Sequence, residues 1–544
     1  MPYAIYIFLL SPVLWATVYR TDVPFSVMSM GAGLIALFFF QFRKCCAASV
    51  SKIETYTFIC FTLILIAQYY IIGVSNTDTF IYNSIVIIGA LVAYISTPRH
   101  PKMFNIRWVT ILVLMANIYV ISSFVSYFNL FPDDLALSDI FRGWMSNGDG
   151  FAGPLLQANI EVLFMLLSIT GSWIVLPRAK NEMVPLISSI LPIAAVMASG
   201  SRSGPVLLLI IAGISFIASK KDKEFLFSLL LSLIIGYLIS MMWINTPTGG
   251  VAQQSFISRM SSVGIQARLA LWGMALFTFI MHPMLGVGSG NLVAHSIDGF
   301  IGIEHIFPSL SSGASMVAGE NVWAHNIVLQ NAAEFGIIGL LFSFVIIYKV
   351  FSKYFNIKIA RTKKFYVLLS TSLILTHGMF SISITQGYMM FLFAIFFSYL
   401  VRNNKGKSDN HYLALISGSA LMVFGLFTIL ELLPVTVAYN MKVNDKQFIR
   451  NTVIATNART TSTFAMEFMF DRIMKEGVPK KIWVINKNKA EQYWKASQST
   501  ISGEALAYAY SASGEKYKAK QIVKKVLLAF PDVKHSPIMD KALQ

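Results

Sequence analysis

LALWGMALFTFIM, residues 269 to 281, is apolar enough to enter a lipid bilayer and too short to cross one. Whether it crosses decides the side on which every later loop lies, and the basic residues on either side of it supply the test. Lys and Arg gather in alternate loops: Arg43, Lys44 and Lys52; Arg99, Lys102 and Arg107; Arg178 and Lys180; Lys220, Lys221 and Lys223; KVFSKYFNIKIARTKK at 349–364; and Arg402, Lys405 and Lys407. Such loops stay on the cytoplasmic side. A crossing at 269–281 would put the 349–364 loop outside, whereas a helix lying on the outer face keeps every basic loop inside. The segment therefore reads as a non-spanning outer helix.

Around it the chain of 544 residues is 56% hydrophobic and only 13% charged, a balance that excludes a soluble enzyme. Apolar windows recur at 3–19, 24–42, 56–73, 79–97, 108–129, 155–176, 183–199, 204–219, 225–244, 327–348, 366–384, 388–401 and 411–433. Each is long enough to cross, or nearly cross, about 30 Å of hydrocarbon. The expected fold is an all-α polytopic membrane protein with about 12–13 transmembrane helices: a membrane domain over 1–433, outer loops at 130–154 and 245–326, and a helical domain over 434–544. The first segment lacks a basic start and a small-residue cleavage site and reads as a retained helix. Cys45, Cys46 and Cys60 have no metal-ligand spacing and imply no disulfide framework.

Of 43 Lys and Arg, the cytoplasmic loops hold 20 and the segment after residue 433 holds 18. The five that remain, Arg20, Arg142, Arg202, Arg259 and Arg268, fall on the outer side and none is a lysine. A permanently charged, forked guanidinium suits bidentate binding of phosphate or carboxylate. Arg20 sits beside Asp22, and local pairing accounts for it; Arg142, among Asp133, Asp134, Asp139 and Asp149, reads equally as locally paired or as part of an anion site. Arg202, Arg259 and Arg268 have no acid within a helical turn and need a partner from elsewhere, which points to an anion site.

Two outer motifs carry Arg202 and Arg268, and others add polar residues without arginine. ASGSRSG at 198–204 holds Arg202 between two apolar segments, reading equally as a phosphate cradle or a bare interhelical turn. RLALW at 268–272 puts Arg268 and Trp272 on one helical face, and HPMLGVGSGN follows at 282–291. Its glycines lack the preceding strand and following acid of a dinucleotide fold, so they imply only a close backbone approach. ENVWAHNIVLQNAAEFGIIGLL at 320–341 places His325 at the mouth of a helix with Asn326, Gln330 and Glu334 as a polar stripe beneath it, facing protein or water rather than lipid. GPLLQANIEVLFM at 153–165 brings Gln157, Asn159 and Glu161 into another helix start, as cavity lining or as interhelical packing. His377 and the stretch from Gln386 to Tyr388 border a further outward turn.

The tail carries 18 basic and 9 acidic residues, which suits an acidic surface or a solvated face. EALAYAYSASGEKYKAKQIVKKVLLAFPD, residues 504–532, reads as two amphipathic helices about a glycine turn.

Together SRSG, RLALW, HPMLGVGSGN and AHNIVLQNAAEFGIIGL resemble the Wzy/WaaL superfamily of O-antigen ligases and polymerases, and GPLLQANIEVLF with the tail looks like its protein O-oligosaccharyltransferase branch. That resemblance implies a GT-C-like glycosyltransferase in the bacterial inner membrane, with its site facing the periplasm. It implies an inverting, metal-independent transfer of a glycan from undecaprenyl pyrophosphate to Ser or Thr of a pilin-like protein, without a cofactor or nucleic acid. Arg202 and Arg268, helped by Arg259, would hold the pyrophosphate. His325 would act at the acceptor hydroxyl, and Gln157, Asn159, Asn326, Glu334 and Tyr388 would contact glycan or acceptor. A polymerase, a lipid A-core ligase and, from a different class, a lipid-linked sugar transporter are the competing readings.

Overall fold

The computed structural model describes residues 52–96, 106–127, 158–176, 183–199, 201, 203–219, 222–244, 262–317, 323–381, 387–401, 470 and 480–531. Among these the protein is helical throughout, without a strand. The helices are, in chain order, α1 (Lys52–Ala67), α2 (Thr77–Ser96), α3 (Ile106–Tyr127), α4 (Ala158–Ile174), α5 (Met183–Ala198), α6 (Ser203–Ala218), α7 (Lys223–Ile244), α8 (Ser262–Met281), α9 (Ser296–Ile306), α10 (Ser311–Met316), α11 (Ile327–Tyr354), α12 (Lys363–Gly378), α13 (Gly387–Val401), α14 (Lys480–Ile485), α15 (Lys487–Ala496), α16 (Thr500–Ala512) and α17 (Lys516–Ala529). Ten of the thirteen expected spans coincide with helices; those at 3–19, 24–42 and 411–433 lie outside the described residues. By length and apolarity alone, Ile53–Gly73, Lys223–Trp243 and Ile327–Tyr354 suffice to cross a membrane, and shorter apolar helices accompany them.

Two compact units divide the chain. The first comprises residues 1–58, 86–259 and 345–430, and the second 59–85, 260–344 and 431–544. The expected boundary at residue 433 lies outside the described residues, but the tail from 480 onward falls in the same unit as the outer segment 260–344.

In the first unit α4 is the central helix. From Val162 to Ile174 it is buried almost without interruption, with Leu163, Phe164, Met165, Leu166, Leu167 and Ile169 wholly enclosed. A helix apolar on every side is buried by neighbours on every side. Gly171 lets α3 approach, since a Cβ there would stand 2.5 Å from Val109 Cγ1. Trp173 donates its indole N–H to Ser189 Oγ of α5 at 3.1 Å. Before α7, Asp222 pairs with Arg361 at 2.7 Å, and that guanidinium lies 4.1 Å from the Phe225 ring centroid.

The second unit joins the outer segment to the tail through one apolar core. Leu271 and Met274 of α8, Ile297, Phe300 and Ile303 of α9 and Val317 are buried with Phe470, Trp483, Tyr493, Trp494, Leu506, Val523 and Phe530. Phe300 and Phe530 meet with ring centroids 5.3 Å apart. Each fully buried aromatic or large aliphatic side chain contributes roughly 1.5–3 kcal/mol. Polar ties fix the register: Gln498 N–H donates to Val293 O at 3.2 Å, and Lys525 pairs with Asp298 at 2.8 Å. α16 begins at a capping box built from Ser499 and Ser502, and Gly514 (φ 85°) turns the chain into α17, so the two tail helices expected around a glycine turn are present.

Candidate active site

Glycine-rich HPMLGVGSGN leaves α8 and lies against the backbone of α11. That helix is broken within its span: Gly336 has φ 64° and ψ −147°, well outside helical values. Interrupting a helix frees backbone groups that lipid cannot satisfy, so such a break survives only when protein supplies partners. The loop supplies them. Val287 N–H donates to Ala333 O at 3.0 Å, Gly288 N–H to Glu334 O at 3.1 Å, and Ile337 N–H to Pro283 O at 2.7 Å. A Cβ on Gly286 would overlap the Glu334 carbonyl group, and one on Gly336 would stand 2.5 Å from the Met284 carbonyl carbon. Both glycines also hold positive φ, so each is required twice, by its conformation and by the contact.

Gln68 locks the loop from the other side. It opens a short π-helical turn, Gln68–Gly73, that continues α1, and it is wholly buried. Its amide donates to Leu285 O and to Glu334 O, each at 2.8 Å, and accepts from Ser289 N–H at 3.2 Å. Asn291 at the loop's end accepts the Asn76 N–H at 2.8 Å, while Asn76 donates to Ala496 O of α15 at 3.0 Å. Gln68 and Asn76 belong to none of the sequence motifs above. Gln68 nonetheless carries a signal, because an amide inside the apolar window 56–73 implies a buried partner.

The mouth of α11 follows. Asn326 Oδ1 accepts from Val328 N–H at 3.0 Å and Leu329 N–H at 3.2 Å, making it the helix cap. Gln330 accepts the Ala324 N–H at 2.7 Å and passes its amide N–H to Glu334 Oε1. Glu334, 5% exposed, is held by its backbone as well, through the bonds from Gly288 and Gln68 to its carbonyl. The stripe expected to line a cavity therefore turns inward: Asn326 and Glu334, read as glycan or acceptor contacts, engage the protein's own backbone and amides.

Between these anchors His325 adopts φ 51°, the single described non-glycine residue in the left-handed region. Its Nδ1 is buried and meets no hydrogen-bond partner among the described residues. Burial, and secondarily the positive charge of Arg268, hold its imidazole down to about pKa 4. At neutral pH the ring is therefore uncharged, with lone-pair basicity available. Arg268, half-buried, stands two turns inside α8 and not at its start, because the helix begins at Ser262; Trp272 follows one turn on.

In the first unit, Asn159 Oδ1 accepts from Ser201 Oγ at 2.9 Å, and Ser201 and Ser203 hydroxyls lie 3.2 Å apart. Asn159 and Ser201 thus join the starts of α4 and α6. Glu161, two residues beyond Asn159, is wholly buried. Gln157, Arg202 and Arg259 lie outside the described residues, as does the side chain of Tyr388, whose backbone opens α13.

An uncharged imidazole that feels the charge of a guanidinium is suited to hold a hydroxyl and take its proton while the guanidinium faces an anion. The model of the O-antigen ligase family matches residues 187–344, a segment that includes Arg202, Arg259, Arg268, HPMLGVGSGN and AHNIVLQNAAEFGIIGLL. This match supports the superfamily resemblance read from the motifs. Members of that family are ligase- or polymerase-type, glycosyltransferase-like membrane proteins that use lipid-linked oligosaccharide donors. No curated protein matches the chain.

Proposed function

We propose that the protein is an oligosaccharyltransferase that moves a glycan from undecaprenyl pyrophosphate to a Ser or Thr hydroxyl of a pilin-like protein on the periplasmic face of the inner membrane. The observation that carries the reading is His325: an uncharged imidazole whose Nδ1 has no hydrogen-bond partner among the described residues, with the Arg268 charge beside it. Departure of a pyrophosphate from an anomeric carbon leaves positive character on the sugar and negative charge on the leaving group. Arg268, with Arg202 and Arg259, would stabilise that anion, and His325 would accept the acceptor's proton as the new C–O bond forms on the opposite face. Inversion follows from that in-line arrangement.

A protein acceptor is supported by the tail. Its helices share a core with α8, the helix that bears Arg268, so an acceptor bound by α14–α17 would be fixed relative to that guanidinium. A polymerase or lipid A-core ligase would use the same donor chemistry. Co-expression with a lipid-linked glycan pathway and a pilin, followed by mass spectrometry of the pilin, separates them. The expected result is a pilin heavier by the glycan, lost in His325→Ala. An unmodified pilin alongside lengthened lipid-linked glycan or glycan-capped lipid A core would overturn the protein-acceptor reading.

A further inference from the structure

We infer that Gln330 and Glu334 are positioning residues for His325, acting as a relay that ties the histidine's strained backbone to the glycine loop, and not as contacts to glycan or acceptor; this rests on the proposed role of His325. A non-glycine residue in the left-handed region relaxes unless its neighbours over-determine it. Here both neighbours are held by α11. On one side Ala324 N–H is fixed by Gln330 Oε1 at 2.7 Å. On the other Asn326 caps the helix, and its carbonyl accepts from Gln330 N–H at 2.8 Å. Gln330 thus grips both residues that flank the histidine, Ala324 by its side chain and Asn326 by its backbone.

The orientation of the Gln330 amide is itself set from below. Its oxygen must point to Ala324, because its N–H meets a Glu334 carboxyl oxygen. An ionised carboxylate only accepts, so it holds the Gln330 amide against a flip. Glu334 is itself tied to the loop through its backbone carbonyl, which accepts from Gly288 N–H at 3.1 Å, so the bonds run from the loop through Glu334 and Gln330 to the residue that precedes the histidine. Gln330 is 3% and Glu334 5% exposed, so both are committed to this contact. The same geometry explains a polar stripe that turns into the protein from the helix whose mouth bears the histidine.

The relay predicts a swap. Gln330→Glu sets two carboxylates against each other, while adding Glu334→Gln restores the order of donors and acceptors. In that double variant the carboxylate at position 330 would accept from Ala324 N–H and from the new amide at position 334. The full chain in nanodiscs would be assayed with a short polyprenyl-pyrophosphate trisaccharide and whole pilin. In parallel, the His325 imidazole resonance would be followed by NMR in histidine-labelled protein, assigned by its loss in His325→Ala. Gln330→Glu is expected to lower kcat at least tenfold with donor KM within twofold and to move the His325 resonance, and the double variant to recover both. Gln330→Met, which removes both bonds without adding charge, is expected to show the same losses without rescue by Glu334→Gln, and serves if the charged variant does not fold. A Gln330 variant with unaltered kcat and an unmoved resonance overturns the relay, as does a double variant that folds like the wild type without recovering. Wild-type protein that transfers nothing overturns the functional reading instead, and the NMR arm then still decides the relay.

Discussion

α4 and α11 begin alike and end differently. Each carries an asparagine at its start, Asn159 and Asn326, and a buried glutamate within two turns or so, Glu161 and Glu334. α4 then runs unbroken through a largely apolar interior, whereas α11 breaks at Gly336 and takes the glycine loop into the gap. The difference shows two ways of keeping polar groups inside an apolar helix. α4 buries one carboxylate and leaves its backbone ladder intact. α11 opens its ladder and lets a second backbone complete it, so that the loop, the relay and the histidine become one rigid piece.

The largest expected effect breaks that contrast at its glycines. Gly336→Ala or Gly286→Ala drives a Cβ into backbone atoms of the facing segment with φ still positive, and should cost more than about 3 kcal/mol, read as loss of the folded protein in thermal unfolding. Gly171→Ala in α4 meets a side-chain methyl at 2.5 Å that can move, and should cost about 1–3 kcal/mol. Equal effects would mean that the loop is not wedged against α11.

Gln68→Leu comes next. It strands Leu285 O and Ser289 N–H and removes one of two donors to Glu334 O, for a loss of roughly 2–4 kcal/mol by the same measurement. A stable Gln68→Leu protein with unaltered transfer would show that the loop holds without the π-turn.

Activity against pH sharpens the comparison at the mouth of α11. His325 must be unprotonated to accept a proton, so kcat/KM of the free enzyme should fall only as pH drops through about 4. A bound pyrophosphate would offset the Arg268 charge and favour the imidazolium. The acid limb of kcat should therefore lie above that of kcat/KM, and coincident limbs would remove Arg268 from the donor site. The smallest effect is that of Asn326→Ala, which loses the cap of α11 for about 1 kcal/mol, while Asn326→Ser retains most of it.

How far the sequence carried these features depends on their range. Windows of apolar residues placed the helices because the bilayer sets their length locally. Arg268, His325 and the glycines of HPMLGVGSGN stood out because each is costly without a local reason. What was hidden is the pairing. Nothing in LQNAAEFG says that Glu334 will meet Gly288 and Gln68, or that Gly336 breaks the helix, since both depend on a backbone more than forty residues away. Gln68 bonds to residues 217 and 266 positions distant, and no periodicity reports that. The tail's amphipathic helices were legible, but the face they would cover was not.

That face is where the tail matters most. A chain cut after residue 433 would keep the helices that carry Arg268 and His325, yet it would leave Leu271, Met274, Ile297, Phe300 and Ile303 without the residues that seal them. The exposed oil would have to find another cover, in aggregation or in the lipid itself. In cellular terms the tail is then less an appendage than a resident chaperone: a protease that removed it would poison the enzyme without touching a single catalytic atom.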